Sequence, residues 1–519
     1  MYELLHNRLD RLADCPGLLK GGRKGIEKES LRVRPDGSIS SLPHPRALGS
    51  ALTNQRITTD YSEALLEFVT PALQEMWAAM QSLCDIHQFT YQHLEDELLW
   101  ATSMPCAVAG DDSIPVAQYG SSNVGTMKTV YRRGLGYRYG RVMQTISGVH
   151  FNYSLPEVFW PVFAEQEQSA GNLDAFRSAT YLDLIRNVWR YGWLILYLFG
   201  ASPALCKSFM GGRTTKMREL DEHTYYEPYG TSLRMSDLGY KNKNQSRIDI
   251  SLDDIDQYIL DLDRAIRTPF PEYEDIGVLV NGEYRQLNAN LLQIENEYYS
   301  LIRPKRVARS GERPTSALKR GGVEYVELRG LDVNAFDPVG VNQNELRFLE
   351  TFLIYCLLQE SPRISQDEKN EVDANHNLVA RRGRDPELLL QRNGESVSQR
   401  QWARDLLGKM GEIAELLDHE EPERPYAASL GVQRSALEEP ELTPSARILS
   451  DMRESGESFL LFALRMSQAH KAYFAELDAG NEAALKELEV EAGASLERQT
   501  SIERSDTMSF EEYLRHYFS

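Results

Sequence analysis

The chain has 519 residues, with 57 Lys and Arg against 77 Asp and Glu, which gives a net charge of −20 at neutral pH. This charge argues against a protein that binds nucleic acid or anionic lipid through a basic surface, because phosphate affinity depends on clustered Lys and Arg. Hydrophobic residues make up 42% and charged residues 26% of the chain, which excludes wholesale disorder. The length exceeds what one hydrophobic core usually fills, so we expect a large catalytic body and a further helical lobe.

No segment of the sequence predicts a secretory signal or a membrane anchor. Residues 1–15 are amphipathic and charged, without the apolar stretch that a signal peptide requires. The most apolar run, 192–206, is shorter than a spanning helix and contains Gly200 and Pro203. The five cysteines are scattered and lack Cys-x-x-Cys spacing, so we expect neither a disulfide framework nor a structural zinc site, and a reducing, cytoplasmic location.

Residues 1–340 mix strand and helix patterns, and we expect them to form the catalytic body. Runs rich in β-branched and aromatic residues predict strands at 25–33, 65–70, 145–154, 291–299 and 323–330. Apolar spacing predicts helices at 75–100, 173–199 and 253–266. The connections between the strands are long and irregular, which disfavours a βαβ repeat. The pattern therefore predicts an α+β fold with an antiparallel sheet surrounded by helices.

Residues 341–519 are predicted to form a helical C-terminal lobe that packs on this body. Apolar spacing predicts helices at 344–358, 401–418, 445–477 and 482–494. The charged stretch 366–395 is typical of an exposed connector. The lobe carries no chemical motif, so we expect it to support the body.

Carboxylates interrupt two of the predicted strands. Glu27 and Glu29 point to the same face of the first strand, since side chains alternate along a strand. Glu67 interrupts an otherwise apolar strand, and Asp60 lies in the turn before it. The plain alternative is a solvent-exposed strand end, because Glu is mostly exposed in proteins. If these carboxylates are buried, however, they need a compensating charge or a metal ion.

Two further strands carry polar residues on one face. His150 lies on the polar face of 148–154, where a structural histidine is the plain alternative to a metal ligand. Glu327 and Arg329 share a face of the last strand. They could form a simple salt bridge, or a metal ligand beside a phosphate clamp, because Arg matches phosphate oxygens bidentately.

Carboxylates, one histidine and an arginine on one sheet face make a poor hydrophobic core, and converging carboxylates repel one another. Divalent cations would stabilise them, and oxygen ligands with one imidazole and no thiolate favour Mg²⁺, with Mn²⁺ as the alternative. Mg²⁺ on carboxylates suggests a nucleotide reaction. No Walker A motif or kinase glycine loop is present, so basic side chains must hold the phosphates. The candidates, each otherwise an ordinary surface charge, are Lys128, Arg132, Arg234, Arg303, Lys305, Arg306 and Arg329.

Eight sequence blocks between residues 25 and 332 carry a family resemblance. They are GIEKESLRV, ITTDYSEALLEFVTP, WATSMPC, QTISGVHFNYS, LFGASPA, TSLRMSDLGY, QIENEYYSLIRPKR and GGVEYVELRGLD. In this order they resemble the proteobacterial glutamate–cysteine ligases (γ-glutamylcysteine synthetases) of the glutamine-synthetase-like carboxylate–amine ligase superfamily. The resemblance implies a curved antiparallel sheet that forms a funnel-like active site. It weakens in the C-terminal lobe.

The resemblance implies a reaction with three small molecules, L-glutamate, L-cysteine and ATP. The γ-carboxylate of glutamate would be activated as γ-glutamyl phosphate and joined to the amine of cysteine, giving γ-glutamylcysteine, ADP and phosphate. This is the first step of glutathione biosynthesis, and feedback inhibition by glutathione is a further expectation. We also expect a monomer or weak oligomer, with no nucleic acid or membrane as partner.

Matching the motifs residue by residue gives an implied site. The implied metal ligands are Glu27, Glu29, Asp60, Glu67, Glu97, His150 and Glu327; Glu97 is placed by resemblance alone, since periodicity predicts a helix-surface residue. The implied catalytic residues are Arg329, Arg132 and Arg234, with Lys305 and Arg306 also binding the nucleotide and Arg234 holding a substrate carboxylate. The implied cysteine pocket consists of Tyr61, Tyr131, Leu135, Gln144, Tyr240 and Tyr299. Related sequences have Phe where this chain has Tyr61. No cysteine has an implied chemical role, and Cys106 is expected to be buried packing.

Two alternatives stay open at this point. A related carboxylate–amine ligase would use the same carboxylates with another amine, and only the pocket residues would differ. A catalytically silent protein that binds nucleotide or amino acid would show gaps in the acidic set, and this sequence has none. We expect no second nucleotide-binding domain after the C-terminal lobe.

Overall fold

A computed structural model describes residues 2–239, 248–309, 311–477 and 481–519. Its strands are β1 (Arg23–Val33), β2 (Ile57–Thr59), β3 (Leu65–Val69), β4 (Leu98–Leu99), β5 (Gly148–Ser154), β6 (Ala204–Cys206), β7 (Arg218–Glu219), β8 (Thr224–Tyr226), β9 (Leu279–Val280), β10 (Glu283–Tyr284), β11 (Ile302–Lys305), β12 (Tyr325–Asp332), β13 (Leu389–Arg392) and β14 (Glu395–Ser398).

The central sheet is open and has the strand order β11–β12–β5–β1–β3–β2, with β4 paired to the far end of β1. All of these pairings are antiparallel, which confirms the predicted fold class. Strands β6 to β8 form a small second sheet, and β9–β10 and β13–β14 form separate two-stranded pairs.

Helices surround the central sheet and make up most of the C-terminal part. They are α1 (Tyr2–Ala13), α2 (Met76–Gln92), α3 (Asn123–Tyr139), α4 (Phe159–Gln166), α5 (Leu173–Tyr191), α6 (Trp193–Phe199), α7 (Lys207–Met210), α8 (Ile255–Arg267), α9 (Pro271–Glu274), α10 (Pro314–Gly321), α11 (Gln343–Leu358), α12 (Gln366–Arg382), α13 (Gln399–Lys409), α14 (Gly411–Leu417), α15 (Pro425–Glu438), α16 (Pro444–Ser455), α17 (Phe459–Glu476), α18 (Glu482–Ser505) and α19 (Phe510–Tyr517). Within the part of the chain that is described, no helix is both long and apolar enough to cross a bilayer.

The two faces of the central sheet differ in polarity. We call the face that carries Glu27, Glu29, Glu67, His150 and Glu327 the site face, and the opposite one the back face. Back-face side chains of β1, β3, β5 and β12 are buried in the largest hydrophobic cluster, together with α5, α6 and α11. The same cluster continues into α13, α14 and α15, so body and lobe share one core. A domain boundary at residues 340 and 341 stays a prediction.

Several predicted elements differ from the structure. The predicted strand at 291–299 is wrong, because residues Glu295–Glu297 form a 3₁₀ turn instead. The predicted helix at 173–199 is split at Gly192, where an added Cβ would lie 2.2 Å from Leu301. The predicted connector at 366–395 is also wrong, because it forms α12 and most of a β-hairpin. The Ser365 hydroxyl caps the start of α12 by accepting a hydrogen bond from the Glu368 backbone N–H.

Cys106 and Cys206 form a disulfide, which contradicts the expectation of no disulfide and of a Cys106 that only packs. The two residues are 100 positions apart in the sequence, so their spacing carried no signal. Both belong to a second hydrophobic cluster that also includes Phe209 and Phe462. Cys15, Cys84 and Cys356 are free thiols.

Candidate active site

A cavity of about 550 Å³ lies over the site face and brings together most of the predicted site residues. Six of the seven predicted metal ligands line it: Glu27, Glu29, Asp60, Glu67, His150 and Glu327. The basic side chains around it are Arg132, Arg138, Arg213, Arg303, Lys305 and Arg329. On the side of α3 and of the Glu295–Glu297 turn, its wall is formed by Tyr61, Tyr131, Leu135, Gln144 and Tyr299. Tyr240 lies outside the described residues.

The strand register explains why the acidic residues converge. Residues that face each other on antiparallel strands have Cβ atoms about 5 Å apart and share one face of the sheet. The facing pairs are Glu27 with His150, Glu29 with Glu67, and Glu327 with Asn152. Each strand was predicted separately from its alternation, and antiparallel pairing places the charged residues side by side.

His150 lies at the centre of this group. Its Nδ1 is 3.3 Å from Glu27 Oε2 and 3.6 Å from Glu327 Oε1, and its Nε2 is 3.8 Å from Glu29 Oε1. One ligand atom from each of Glu27, His150 and Glu327 lies within 4.8 Å of the other two, close enough to share a metal ion. Asn152 donates to Glu27 Oε1 at 2.8 Å and thereby orients this carboxylate.

Cations lower carboxylate pKa values at one end of the cavity. Burial alone would raise the pKa of Glu327, but Lys305, 3.2 Å from Oε2, and Arg329, 3.3 Å from Oε1, hold it well below its ordinary value. Burial likewise opposes the ionisation of Glu27, yet the hydrogen bond with His150 brings the pKa of Glu27 below normal. These two carboxylates are therefore ionised.

Negative charge accumulates at the other end. Burial raises the pKa of Glu67 well above its ordinary value, and the charges of Glu27, Asp60 and Glu29 raise it further. Burial and Asp60 raise the pKa of Glu29, against the opposing effect of His150. Like charges in a buried site disfavour each other's ionisation. Nearby arginines offset this repulsion only in part, Arg132 at Glu67 and Arg234 and Arg329 at Glu29, so a bound cation would relieve it.

The residues fit a divalent cation. Carboxylate oxygens dominate the group, His150 offers one imidazole, and no thiolate lies among them, which is the ligand chemistry of Mg²⁺ or Mn²⁺. Asn152 Oδ1 is buried and accepts no hydrogen bond from the described part of the protein, and Glu327 Oε2 has only the ion pair with Lys305. Such atoms are expected where a ligand completes the site.

Two arginines border the cavity from different elements. The Arg132 guanidinium stacks on the ring of Tyr119 at 4.6 Å, and its Nε donates to the backbone carbonyl of Asp60. Arg329 lies over the Tyr299 ring at 5.9 Å. The Asp60 turn is thus tied directly to α3, which carries Arg132.

The hydroxyl that distinguishes Tyr61 from Phe does not reach the cavity surface. This hydroxyl is buried and has no hydrogen-bond partner in the part of the chain that is described. A Cβ added at Gly136 on α3 would lie 2.5 Å from it. The glycine therefore leaves the space that the hydroxyl occupies, and the ring of Tyr61 still lines the cavity as a Phe would.

Four of the predicted residues that the structure describes lie outside the cavity lining, and one of them, Lys128, lies over the Tyr119 ring at 5.2 Å. Glu97 is on the other side of β1, where both of its oxygens accept hydrogen bonds from Arg32, so its position does not support a metal-ligand role. Arg306 donates to the carbonyls of Gly321 and Gly322 at the end of α10, so its position does not support the nucleotide-binding role expected for it. Arg234 is buried behind the cavity, and an added Cβ at Gly148 would clash with its guanidinium.

Sequence reasoning missed several lining residues on the side of α3. Arg138, Tyr139, Asn296 and Glu297 border the cavity, and no role was predicted for them. The strand predicted at 291–299 includes Glu297, which instead ends a 3₁₀ turn. Asn152 could have been found, because it shares the polar face of β5 with His150.

Residues 9–379 match the family model described as glutamate-cysteine ligase. The chain is 50% identical over 514 residues to the glutamate–cysteine ligase of Alcanivorax borkumensis, with 98% of this chain and 97% of the relative covered. It is 47% identical to the glutamate–cysteine ligase of Pseudomonas putida KT2440, with 100% and 98% covered.

The fold is similar to that of a solved structure, the glutamate–cysteine ligase of Francisella tularensis in complex with AMP. The TM-score is 0.90 at 36% sequence identity, and the alignment covers 96% of this chain and 98% of that one. The similarity therefore extends over both the sheet and the C-terminal helices.

Proposed function

The chain belongs to the glutamate–cysteine ligase family, whose members make γ-glutamylcysteine at the expense of ATP, and we propose that the cavity over the site face is where this reaction takes place. The reaction joins two poorly reactive partners, since a carboxylate is a weak electrophile. Transfer of the γ-phosphoryl group of ATP to the γ-carboxylate of glutamate gives an acyl phosphate. The amine of cysteine then attacks the acyl carbon, the C–N bond forms, the C–O bond to phosphate breaks, and the amine loses its proton.

We assign the phosphoryl side to the basic residues near Glu327. Lys305 and Arg329 bring positive charge to the end of the cavity where Glu27 and Glu327 are ionised. Arg132 approaches from α3 on the opposite side. In phosphoryl transfer the protein contributes mainly positioning and charge stabilisation, which these side chains can supply. Arg306 is left out of this assignment because it holds the end of α10.

The metal ions of this reaction would be held by the acidic group. We assign Mg²⁺, with Mn²⁺ as the alternative, to Glu27, Glu29, Asp60, Glu67, His150 and Glu327. When bound, the ions would neutralise charge on the triphosphate and on the carboxylate of glutamate. Asn152 orients Glu27 within this group.

We assign cysteine to the aromatic wall and glutamate to the end of the cavity nearest Arg234. Tyr61, Tyr131, Leu135, Gln144 and Tyr299 offer a small, largely apolar space, and sulfur contacts aromatic rings favourably. Arg234 lies buried near Glu29 and Asp332, where its charge can attract a substrate carboxylate. The pocket favours cysteine over a related ligase with another amine only through its shape, which a comparison of amines tests directly.

The observation that carries the proposal is the convergence of Glu27, His150 and Glu327 with Lys305 and Arg329 in one cavity. A phosphate-release assay in which glutamate, cysteine, ATP or Mg²⁺ is omitted in turn should require all four for full turnover. Glu27→Gln should lower turnover by about 100-fold or more without unfolding the protein. Glu95→Gln, an exposed substitution of the same kind, should leave turnover unchanged. Retention of most activity in Glu27→Gln would remove Glu27 from the metal site.

A cytoplasmic location, a monomeric or weakly oligomeric state and inhibition by glutathione stay predictions from the sequence and the family resemblance. A silent homologue would show no substrate-dependent phosphate release in the same assay. Serine, alanine and 2-aminobutyrate in place of cysteine would reveal a ligase with another amine.

A further inference from the structure

A fully buried ion pair borders the cavity beside its aromatic wall. Arg138 Nη1 is 2.9 Å from Glu297 Oε1, and both side chains have 0% exposure. The same oxygen accepts a hydrogen bond from the Tyr139 hydroxyl at 2.6 Å. The other oxygen accepts one from the backbone N–H of Gln293, also at 2.6 Å. Because the protein itself supplies donors to both oxygens, Glu297 is built to hold the structure together rather than to bind a substrate.

The pair connects the two elements that carry the cysteine wall. Arg138 is on α3, which also presents Tyr131 and Leu135 to the cavity. Glu297 ends the 3₁₀ turn, and Tyr299 follows it two residues later. The distance between these two elements determines the width of the space between the aromatic side chains.

A second contact joins the same elements. Gln293 Nε2 donates to the backbone carbonyl of Tyr131 at 3.1 Å, and its Oε1 accepts from the Leu287 N–H at 3.0 Å. An added Cβ at Gly134 would lie 2.2 Å from Gln293 Oε1, so α3 and this segment are in close contact. Glu297 fixes Gln293 through its backbone, and Gln293 in turn holds the residue that lines the pocket.

The arginine is anchored on its other sides as well. Arg138 Nε donates to Gln286 at 2.9 Å, its Nη2 donates to the Asn288 carbonyl at 2.7 Å, and its guanidinium lies 4.1 Å from the Tyr273 ring centre. A buried charge with this many partners has one geometry, and removal of its counter-charge leaves it unpaired in a dry environment.

We propose that the Arg138–Glu297 pair positions Tyr131 and Tyr299 for cysteine and thereby sets the amine selectivity of the enzyme. The inference rests on the proposed function of the cavity. A pocket that distinguishes small side chains by shape gains about 10- to 200-fold per methylene group, which it loses when its walls move apart. Glutamate and ATP are assigned to other parts of the cavity, so their binding should be little affected.

The test compares the kinetics of Glu297→Gln with those of the wild type. The substitution keeps the shape of the side chain but places an amide against the guanidinium. We expect the KM for cysteine to rise about tenfold and the preference for cysteine over serine and 2-aminobutyrate to fall by a similar factor. The KM values for glutamate and ATP should change less than about twofold.

A matched control comes from a second buried pair of the same chemistry. Glu350 is 1% exposed, lies 2.8 Å from Lys24 Nζ and accepts from the Tyr426 hydroxyl at 2.7 Å, but it does not line the cavity. Glu350→Gln should lower the melting temperature as much as Glu297→Gln and leave the cysteine KM and the amine preference unchanged.

Arg138→Lys provides a second variant if Glu297→Gln does not fold. It keeps the charge but loses the forked geometry, so its cysteine KM should lie between those of the wild type and Glu297→Gln. The proposal is overturned if the KM values for all three substrates rise together, or if only the melting temperature changes. A wild-type protein that releases no phosphate with glutamate and cysteine would instead overturn the proposed function.

Discussion

Strand β1 presents opposite charge on its two faces. On the site face Glu27 and Glu29 stand beside further carboxylates, and the nearby cations, among them Lys305 and Arg329, offset the repulsion at Glu29 and Glu67 only in part. On the back face, Lys24 lies 2.8 Å from Glu350, and Arg32 donates two hydrogen bonds to Glu97. Both faces bury charge. On the back face each of these two cations has its own carboxylate partner, whereas on the site face several carboxylates lie beside one another.

The difference separates a structural from a functional use of buried charge. A buried ion pair that satisfies its own hydrogen bonds needs no ligand, and breaking it costs stability. A group of buried carboxylates with too few cations is unfavourable until a cation arrives, so it is kept where binding requires it. The two kinds of site respond oppositely to the same substitution, Glu to Gln.

The largest effect on stability is expected for Glu97→Gln on the back face. The substitution leaves the Arg32 guanidinium, which is 0% exposed, without its counter-charge, and such a change costs about 3–5 kcal/mol. Urea unfolding followed by fluorescence should show this loss. Turnover per folded molecule and its Mg²⁺ dependence should stay as in the wild type.

The same variant tests the metal role that the sequence assigned to Glu97. A shift of the Mg²⁺ concentration needed for half-maximal activity, with stability unchanged, would return Glu97 to the metal site and would break the contrast between the two faces. Glu27→Gln, measured in parallel, should show the reverse pattern.

Binding of Mg²⁺ to the wild type is expected to raise the free energy of unfolding by a smaller amount. A ligand that binds only the folded state at about 100 times its Kd stabilises by about 2.7 kcal/mol. Wild-type protein should therefore unfold at higher urea with Mg²⁺ than with a chelator. Glu67→Gln should reduce this gain, because Glu67 lies among the carboxylates that would share the ion.

The metal-free form provides the sharper comparison. Without Mg²⁺, Glu67→Gln should be at least as stable as the wild type, since one repelling carboxylate has been removed. A clear loss of stability in the metal-free variant would mean that Glu67 has a structural partner, as Glu97 does.

Much of the site face could be predicted from the sequence because its signal is local. Alternation on β1 and β5 showed which residues share a face, and buried carboxylates in strands are rare enough to indicate function. The register that brings Glu29 opposite Glu67 depends on pairing between distant segments, and alternation alone cannot give it.

The parts that could not be predicted depend on partners that are distant in the sequence. Glu97 has the same residue type as the ligands, and only its contact with Arg32 shows that it belongs to the back face. The Cys106–Cys206 disulfide likewise has no spacing signal. The turn that carries Glu297 alternates polar and apolar residues like a strand, yet the Glu297 carboxylate is held by side chains of α3, Arg138 and Tyr139, which are distant in the sequence.

At the start of α11, the carboxylates of Glu345 and Asp337 lie close together, and this pair should make the free energy of unfolding depend on pH. Burial and the nearby Asp337 raise the pKa of Glu345 to about 8, while Asn334 and Arg447 oppose the shift. Between about pH 4.5 and pH 8 the folded state holds a proton that the unfolded state has lost, so stability falls as the pH rises through this range. One such group contributes up to about 1.4 kcal/mol per pH unit.

Glu345→Gln should flatten this dependence. The amide keeps the capping role of Glu345, whose carboxylate accepts the Asn342 backbone N–H, but it cannot ionise. Urea unfolding at pH 6 and pH 8 should show the variant gaining about 1–2 kcal/mol on the wild type at the higher pH. An equal change in both proteins would mean that Glu345 is ionised at pH 6 and that its carboxylate has a compensating partner.

The smallest effect is expected at the hydroxyl of Tyr61, which lies beside the cavity and has no hydrogen-bond partner among the described residues. Tyr61→Phe should leave the cysteine KM within about twofold and raise stability by up to about 1 kcal/mol, because it removes a buried hydroxyl that no described residue pairs with. Gly136→Ala should instead push the ring toward the cavity and raise the cysteine KM severalfold, since its Cβ would lie 2.5 Å from the hydroxyl. The double variant should return the KM to the wild-type value, because Phe leaves room for the added methyl group. If Tyr61→Phe alone lowers cysteine affinity tenfold, the hydroxyl contacts the substrate, and this side of the cavity binds cysteine through a polar group.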